Sequence, residues 1–172
     1  MRRFPQSFFE SGVFIVPSKY IPRRINLFDV HDSMTVVDYG CGSGRYTLFF
    51  SEKVGMSGNV YAVDIVPEII KKIEKMVCRK KMTNVIPVLA NGYHSGLQSG
   101  MADRIFAIDI FHLIRDVALF LFELRRIIKE DGVLYIDYGH QPKEQALALI
   151  REANIFQISE VHSYLPLGNM RA

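Results

Sequence analysis

Residues Val36–Thr47 read "VVDYGCGSGRYT". An apolar run ends in an acid, and glycines follow at every second position, Gly40, Gly42 and Gly44. Glycine admits positive φ and has no Cβ to block a close neighbour. One glycine makes a tight turn; three at this spacing point to a loop that something approaches closely. In an open α/β sheet, ligands bind beyond the carboxyl ends of the strands, and the amides of a following helix N-terminus favour negative or electron-rich groups. A dinucleotide loop, G-x-G-x-x-G/A, needs a small residue where this chain has Arg45. A different ligand is therefore expected.

Working outward, "MTVVDY" before the loop is apolar and β-branched, as in a strand buried on both faces. "GRYTLFFSEKVG" places Tyr46, Phe49 and Phe50 at helical spacing, with Gly55 as a C-cap. "NVYAVDI" is a strand, and "PEIIKKIEKMVCRKKM" is a helix with Pro67 at its first turn. "NVIPVLA" is a strand whose Pro87 suits an edge. Then follow strand "RIFAIDIF", helix "VALFLFELRRIIKE", a "DG" turn, strand "VLYIDY", helix "PKEQALALIREA" and a last strand-like piece, "NIFQISEVHSYL". Alternating strands and helices with right-handed crossovers predict a Rossmann-like α/β three-layer sandwich, with a mostly parallel, doubly wound sheet and helices on both faces.

The 172 residues are read as one domain. Residues 1–33 form a cap, with "SKYIPRRINLF" a short helix and "FFESGVFIVP" a lid, and 34–163 form the core. Hydrophobic residues make up 49% and charged residues 23%, which excludes a disordered chain. A net charge of +3 falls short of a dedicated nucleic-acid binder. No apolar run spans a bilayer, and Gln6, Ser7, Glu10 and Ser11 interrupt the start too often for a secretory segment. Cys41 and Cys78 show no metal-ligand or redox spacing. The expectation is a cytoplasmic protein with no metal.

At this point the chain resembles the class I S-adenosylmethionine-dependent methyltransferases. "VVDYGCGSG" is similar to their first motif, and "VYAVDIVPEII" to their second, in which an acid ends the second strand. "VLANGY", "IFAIDIFHLI" and "LRRIIKEDGVLYIDYG" fall where the later segments are expected. The resemblance spans residues 34 to 163. It implies S-adenosylmethionine as methyl donor and S-adenosylhomocysteine as product. It also implies a cofactor site of Asp38, Tyr39, Gly40, Cys41, Gly42, Gly44, Asp64, Ile65, Asn91, Gly92 and Asp109.

The residue chemistry fits such roles while leaving alternatives open. The Asp64 carboxylate can accept both hydroxyls of a ribose, or it caps the helix after it. By resemblance Ile65 lies against the adenine. The Asn91 amide can meet an adenine edge, or Asn91 and Gly92 simply make a turn. Asp38 holds the loop or the cofactor's ammonium, while Cys41 lends its backbone and is no nucleophile. His112, after the fourth strand, is a candidate base, or a histidine packed at a helix start. Transfer from a sulfonium often needs no strong base, because alignment of nucleophile, carbon and sulfur can suffice. The basic cluster Lys71, Lys72, Lys75, Arg79, Lys80 and Lys81 is a solvated face or a nucleic-acid patch.

The motif "NPPY" of amide and adenine methylators is absent, as are the cysteine clusters of arsenic chemistry. The last residues suggest a shortened C-terminal hairpin, one strand and a remnant, with an open edge that invites a homodimer. The expected function is methyl transfer to a small molecule. The rivals are a non-catalytic cofactor-binding module and an RNA methyltransferase.

Overall fold

The computed structural model describes residue 25, residues 27–161 and residues 167–171, with the positions from 160 onward as backbone only. The expected lid, "FFESGVFIVP", and most of the expected short helix lie outside these residues. Seven strands form one sheet: β1 (Thr35–Tyr39), β2 (Asn59–Asp64), β3 (Val85–Leu89), β4 (Ala102–Ala107), β5 (Ile128–Asp137), β6 (Gln157–Val161) and β7 (Leu167–Arg171). The helices are α1 (Arg45–Val54), α2 (Pro67–Lys80), α3 (Val117–Ile127) and α4 (Lys143–Ala153). The sheet order is β3-β2-β1-β4-β5-β7-β6. The first five strands in this order run parallel, and β7 lies antiparallel between β5 and β6.

Strand order reverses between β1 and β4, so the loops leaving these strands part there and open a crevice. β1 is central and its "VVDY" residues are buried, hence the run of apolar residues with no polar alternation. Its side chains still divide between two layers. Val37 and Tyr39 join Ile105, Ala107, Leu134 and Ile136 under α3 and α4. Val36 joins Val60, Ala62, Phe106 and Tyr135 under α1 and α2. In the second layer the Phe106 ring stacks between Phe50, at 4.1 Å, and Tyr135, at 4.7 Å. Phe28 packs against Phe106 at 4.6 Å and closes the layer from below.

The edge position expected of β3 from Pro87 is found: it pairs with β2 alone among the described strands. Two expectations need correction. The helix expected over "VALFLFELRRIIKE" stops at Ile127, and "IKEDG" joins a longer β5. Pairing with β4 overrides the helix preference of these residues, since Ala102 pairs with Ile128 and a register shift takes up the excess before Arg104 meets Val133. The hairpin is short, five residues per strand, but it holds two strands rather than one and a remnant. β7 is bonded on both sides, by β5 and β6, so the argument for a dimer from a missing strand loses its premise.

Replacing Phe106 by Ala should cost about 3–5 kcal/mol, the usual toll for emptying a fully buried aromatic site. Denaturant unfolding measures it, with no change in the slope against denaturant expected.

Candidate functional site

The site begins where β1 ends. The N–H groups of Gly40 and Cys41 both donate to Val63 O, at 2.8 and 3.0 Å, so the loop folds over the end of β2. The chain then turns through three left-handed glycines, with φ of +81° at Gly40, +47° at Gly42 and +76° at Gly44. Gly44 N–H closes the loop on Cys41 O, and Gly44 O accepts from Leu48 N–H to start α1. A Cβ on Gly40 would stand 2.5 Å from Ile110 Cγ2, and one on Gly44 would stand 2.6 Å from Ile73 Cδ1. The fold alone accounts for those two. A Cβ on Gly42 would meet only Gly40 O, at 3.9 Å. Gly42 therefore presents bare backbone to open space.

Acids line this edge of the sheet. Asp64 ends β2, Asp38 stands next to the end of β1, Asp109 follows β4 and Asp137 ends β5. Asp64 is buried, and each oxygen already accepts one backbone N–H: Oδ2 from Gly42 at 3.2 Å and Oδ1 from Val66 at 3.0 Å. Each oxygen keeps a lone pair for a further donor. Burial raises its pKa against those bonds. Val66, not Asp64, caps α2. Asp38 is buried beside it and accepts from Thr47 Oγ1 at 2.5 Å. Burial, aided by the charge of Asp64 and opposed by Thr47, lifts the Asp38 carboxyl to about 7.

On the far side, Asp137 is fully buried and ties two loops together. Its Oδ1 accepts from the N–H of Asp109 at 2.9 Å and of Gly139 at 3.1 Å. Asp109 sits at φ +59°, a strained conformation for a side-chain-bearing residue of the kind found at functional sites. A 3-10 turn, Phe111–Leu113, then carries His112. The His112 ring meets the His140 ring edge-on at 4.9 Å.

Asp38, Gly42 and Asp64 thus come together, with Ile65 beside them 42% exposed. Cys41 is buried, and burial pushes its thiol pKa up, in keeping with a backbone role. The Tyr39 side chain points to the opposite layer, where its hydroxyl donates to Tyr93 O at 2.7 Å. Asn91 and Gly92 form a tight turn in which Asn91 and His94 exchange backbone hydrogen bonds, and Asn91 is exposed. The cationic residues of α2 and Lys81 are exposed along that helix.

Sequence reasoning missed Asp137, Leu89 and the clamp on the β3–β4 loop. Asp137 carries a signal, an acid ending an apolar strand like Asp64. Leu89, half exposed at the end of β3, lies next to the Asn91 turn. Tyr93 Oη accepts from the N–H of Arg115 and Asp116, at 3.1 and 3.0 Å. Glu123 accepts from Ser95 N–H, Ser95 Oγ and two Arg126 nitrogens. No local pattern announces these contacts.

Residues 30–165 match the family model described as a methyltransferase domain. The chain belongs to the class I S-adenosylmethionine-dependent methyltransferases. A crystal structure of a SAM-dependent methyltransferase from Aquifex aeolicus shares its fold, with a TM-score of 0.77 at 22% identity over 88% of this chain and 89% of that one. The protein-L-isoaspartate O-methyltransferase of Methanothrix thermoacetophila is 31% identical over 55% of this chain and 45% of its own length. The (S)-coclaurine N-methyltransferase of Papaver somniferum is 27% identical over 63% of this chain and 30% of its own. The chain thus spans less than half the length of these two curated relatives. Among the described residues, no helix is long and apolar enough to cross a membrane.

The glycines divide into testable kinds. Gly44→Ala should lose roughly 2–4 kcal/mol of stability, from overpacking against α2 added to left-handed strain. Gly42→Ala should lose only about 1–2 kcal/mol, yet weaken S-adenosylmethionine binding at least tenfold. Thermal unfolding and titration calorimetry on the two variants separate the effects.

Proposed function

We propose that this chain transfers the methyl group of S-adenosylmethionine to a small-molecule acceptor. The observation that carries the reading is Gly42, bare backbone facing open space beside a carboxylate with lone pairs to spare. On this reading Asp64 takes the two ribose hydroxyls, and Ile65 and Leu89 give apolar surface to the adenine. The exposed amide of Asn91, on its turn with Gly92, meets the adenine edge. Gly40 and Gly44 brace the loop, Tyr39 and Cys41 serve through their backbone, and Asp38 faces the ammonium of the methionine moiety. Asp109 and His112 border the end where methyl and acceptor meet. When bound, the donor supplies a sulfonium methyl, and the chain's task is to hold an acceptor in line with it while excluding water.

Acids along the carboxyl edge of the sheet suit a ligand bearing a sulfonium and an ammonium. A structure of coclaurine N-methyltransferase, with a TM-score of 0.61 to this chain, holds N-methylheliamine and S-adenosylhomocysteine. It supports a small acceptor here. Cys41 and Cys78 are free thiols, compatible with a cytoplasmic setting, which belongs to the same proposal. Incubation with methyl-labelled donor and a size-fractionated cell extract tests the acceptor. Label should enter the small-molecule fraction; label confined to RNA or protein overturns this reading, and donor binding without transfer favours a binding module.

Two outcomes follow from the acids. Asp64→Ala should weaken donor binding by a hundredfold or more by calorimetry, since two hydrogen bonds to a charged acceptor are lost. A cation beside Asp38 favours its ionised form. Below about pH 7, where Asp38 is neutral in the free protein, donor binding should therefore expel a proton. At pH 8 the carboxyl is already ionised and the release should fade. Affinity thus rises with pH and levels off near 7, and calorimetry in buffers of different ionisation enthalpy measures the proton count.

A further inference from the structure

His112 presents two ring edges to different surroundings. Nδ1 is fully buried and has no hydrogen-bond partner among the described residues. It lies against Gly139, where an added Cβ would collide with it. The group facing Nδ1 is thus the methylene of a glycine at φ +58°, which neither donates nor accepts. His112 as a whole is only half-buried, and Nε2, on the opposite edge, is its polar atom turned away from Gly139.

A neutral imidazole carries one N–H. On Nδ1 that hydrogen would be a buried donor aimed at a methylene, among the rarest and costliest arrangements in folded proteins. On Nε2 it points outward, and Nδ1 keeps only a bare lone pair. The same geometry opposes the base role. An imidazolium carries both N–H groups, so a proton arriving at Nε2 would leave a charged donor buried at Nδ1 without a partner. Burial and the His140 ring lower the His112 pKa, and Asp109 alone of the groups around it raises it. Asp137, across the loop pair, is turned to the N–H groups of Asp109 and Gly139.

We infer that His112 is a neutral Nε2–H donor that positions the acceptor and is not the base that takes the nucleophile's proton. This rests on the proposed transfer at this site. The nucleophile's lone pair forms the bond to the methyl carbon while the carbon–sulfur bond breaks and its electrons remain on sulfur. The sulfonium becomes a neutral thioether; His112 takes up no proton, and any proton the nucleophile carried leaves to water. The Nε2–H bonds a lone pair beside the nucleophile and fixes its line of approach.

Long-range proton–nitrogen NMR on histidine-labelled protein tests the donor directly, with and without S-adenosylhomocysteine. The His112 signals are identified by their loss in His112→Gln. We expect a bare Nδ1 and a protonated Nε2 at pH 6.5–8; an Nδ1–H tautomer, or an imidazolium at pH 6.5, overturns the assignment. Methyl-labelled donor is then offered to carboxylic acids, nitrogen heterocycles, primary amines and phenols. The class that takes up label supplies the substrate on which the His112 variants are compared. His112→Ala should slow that transfer roughly ten- to a hundredfold. His112→Gln keeps an N–H and cannot act as a base, so it should restore most of the rate and follow the wild-type pH profile. Label on none of the classes, a Gln variant as slow as Ala, or one whose pH profile departs from the wild type's counts against the inference. Failure to bind S-adenosylmethionine in calorimetry would instead sink the functional reading and leave the tautomer to the NMR.

Discussion

The central constraint on this molecule is the way the chain leaves β1. The strand is hemmed in by β2 and β4, so the backbone has to reverse within a few residues, pressed by Ile110 on one side and by Ile73 of α2 on the other. Left-handed turns at Gly40 and Gly44 meet that demand. With the neighbours fixed in this way, Gly42 is carried to the open crevice and its N–H is turned to Asp64. That bare backbone is a by-product of packing a parallel sheet tightly at its switch point.

The same edge carries an electrostatic constraint. Asp38 and Asp64 are both buried, and the charge of Asp64 opposes the ionisation of Asp38. A pair of acids so placed is poised for a cationic guest. Local stability is spent there on complementarity that only a ligand completes, which is the usual bargain at a functional site. The compensating stability lies beneath, in the aromatic layer of Phe28, Phe50, Phe106 and Tyr135.

Much of this was legible from the sequence because it is local. Positive φ is written in glycine, a buried parallel strand in β-branched runs, and an edge strand in Pro87. The strands up to β5 and the Asp38–Gly42–Asp64 grouping follow from such signals. What escaped is decided by distant partners. "LGNMR" has little strand preference, and it becomes β7 because β5 and β6 offer hydrogen bonds on both sides. "IKE" favours helix, and β4 draws it into β5. Asp137 and the buried edge of His112 depend on two loops meeting, which no spacing in the chain announces. Tyr39 shows what a motif leaves out: alternation along the strand sends its ring to the other layer, so any part it has in the loop is played by its backbone.

The clamp beneath the β3–β4 loop adds one last property. Burial alone would raise the Glu123 carboxyl, yet Arg126 and Ser95 hold it down to about 2. Its share of stability is complete above the usual carboxylate range and fades only in strong acid. The Glu123 carboxyl therefore keeps its charge at any acidity a cell would meet, while the Asp38 carboxyl changes charge near neutrality. On the reading proposed for this site, one carboxyl acts as an anchor and the other as a gauge, so acid stress would loosen the grip on the donor's amino-acid end and leave the Glu123 clamp in place.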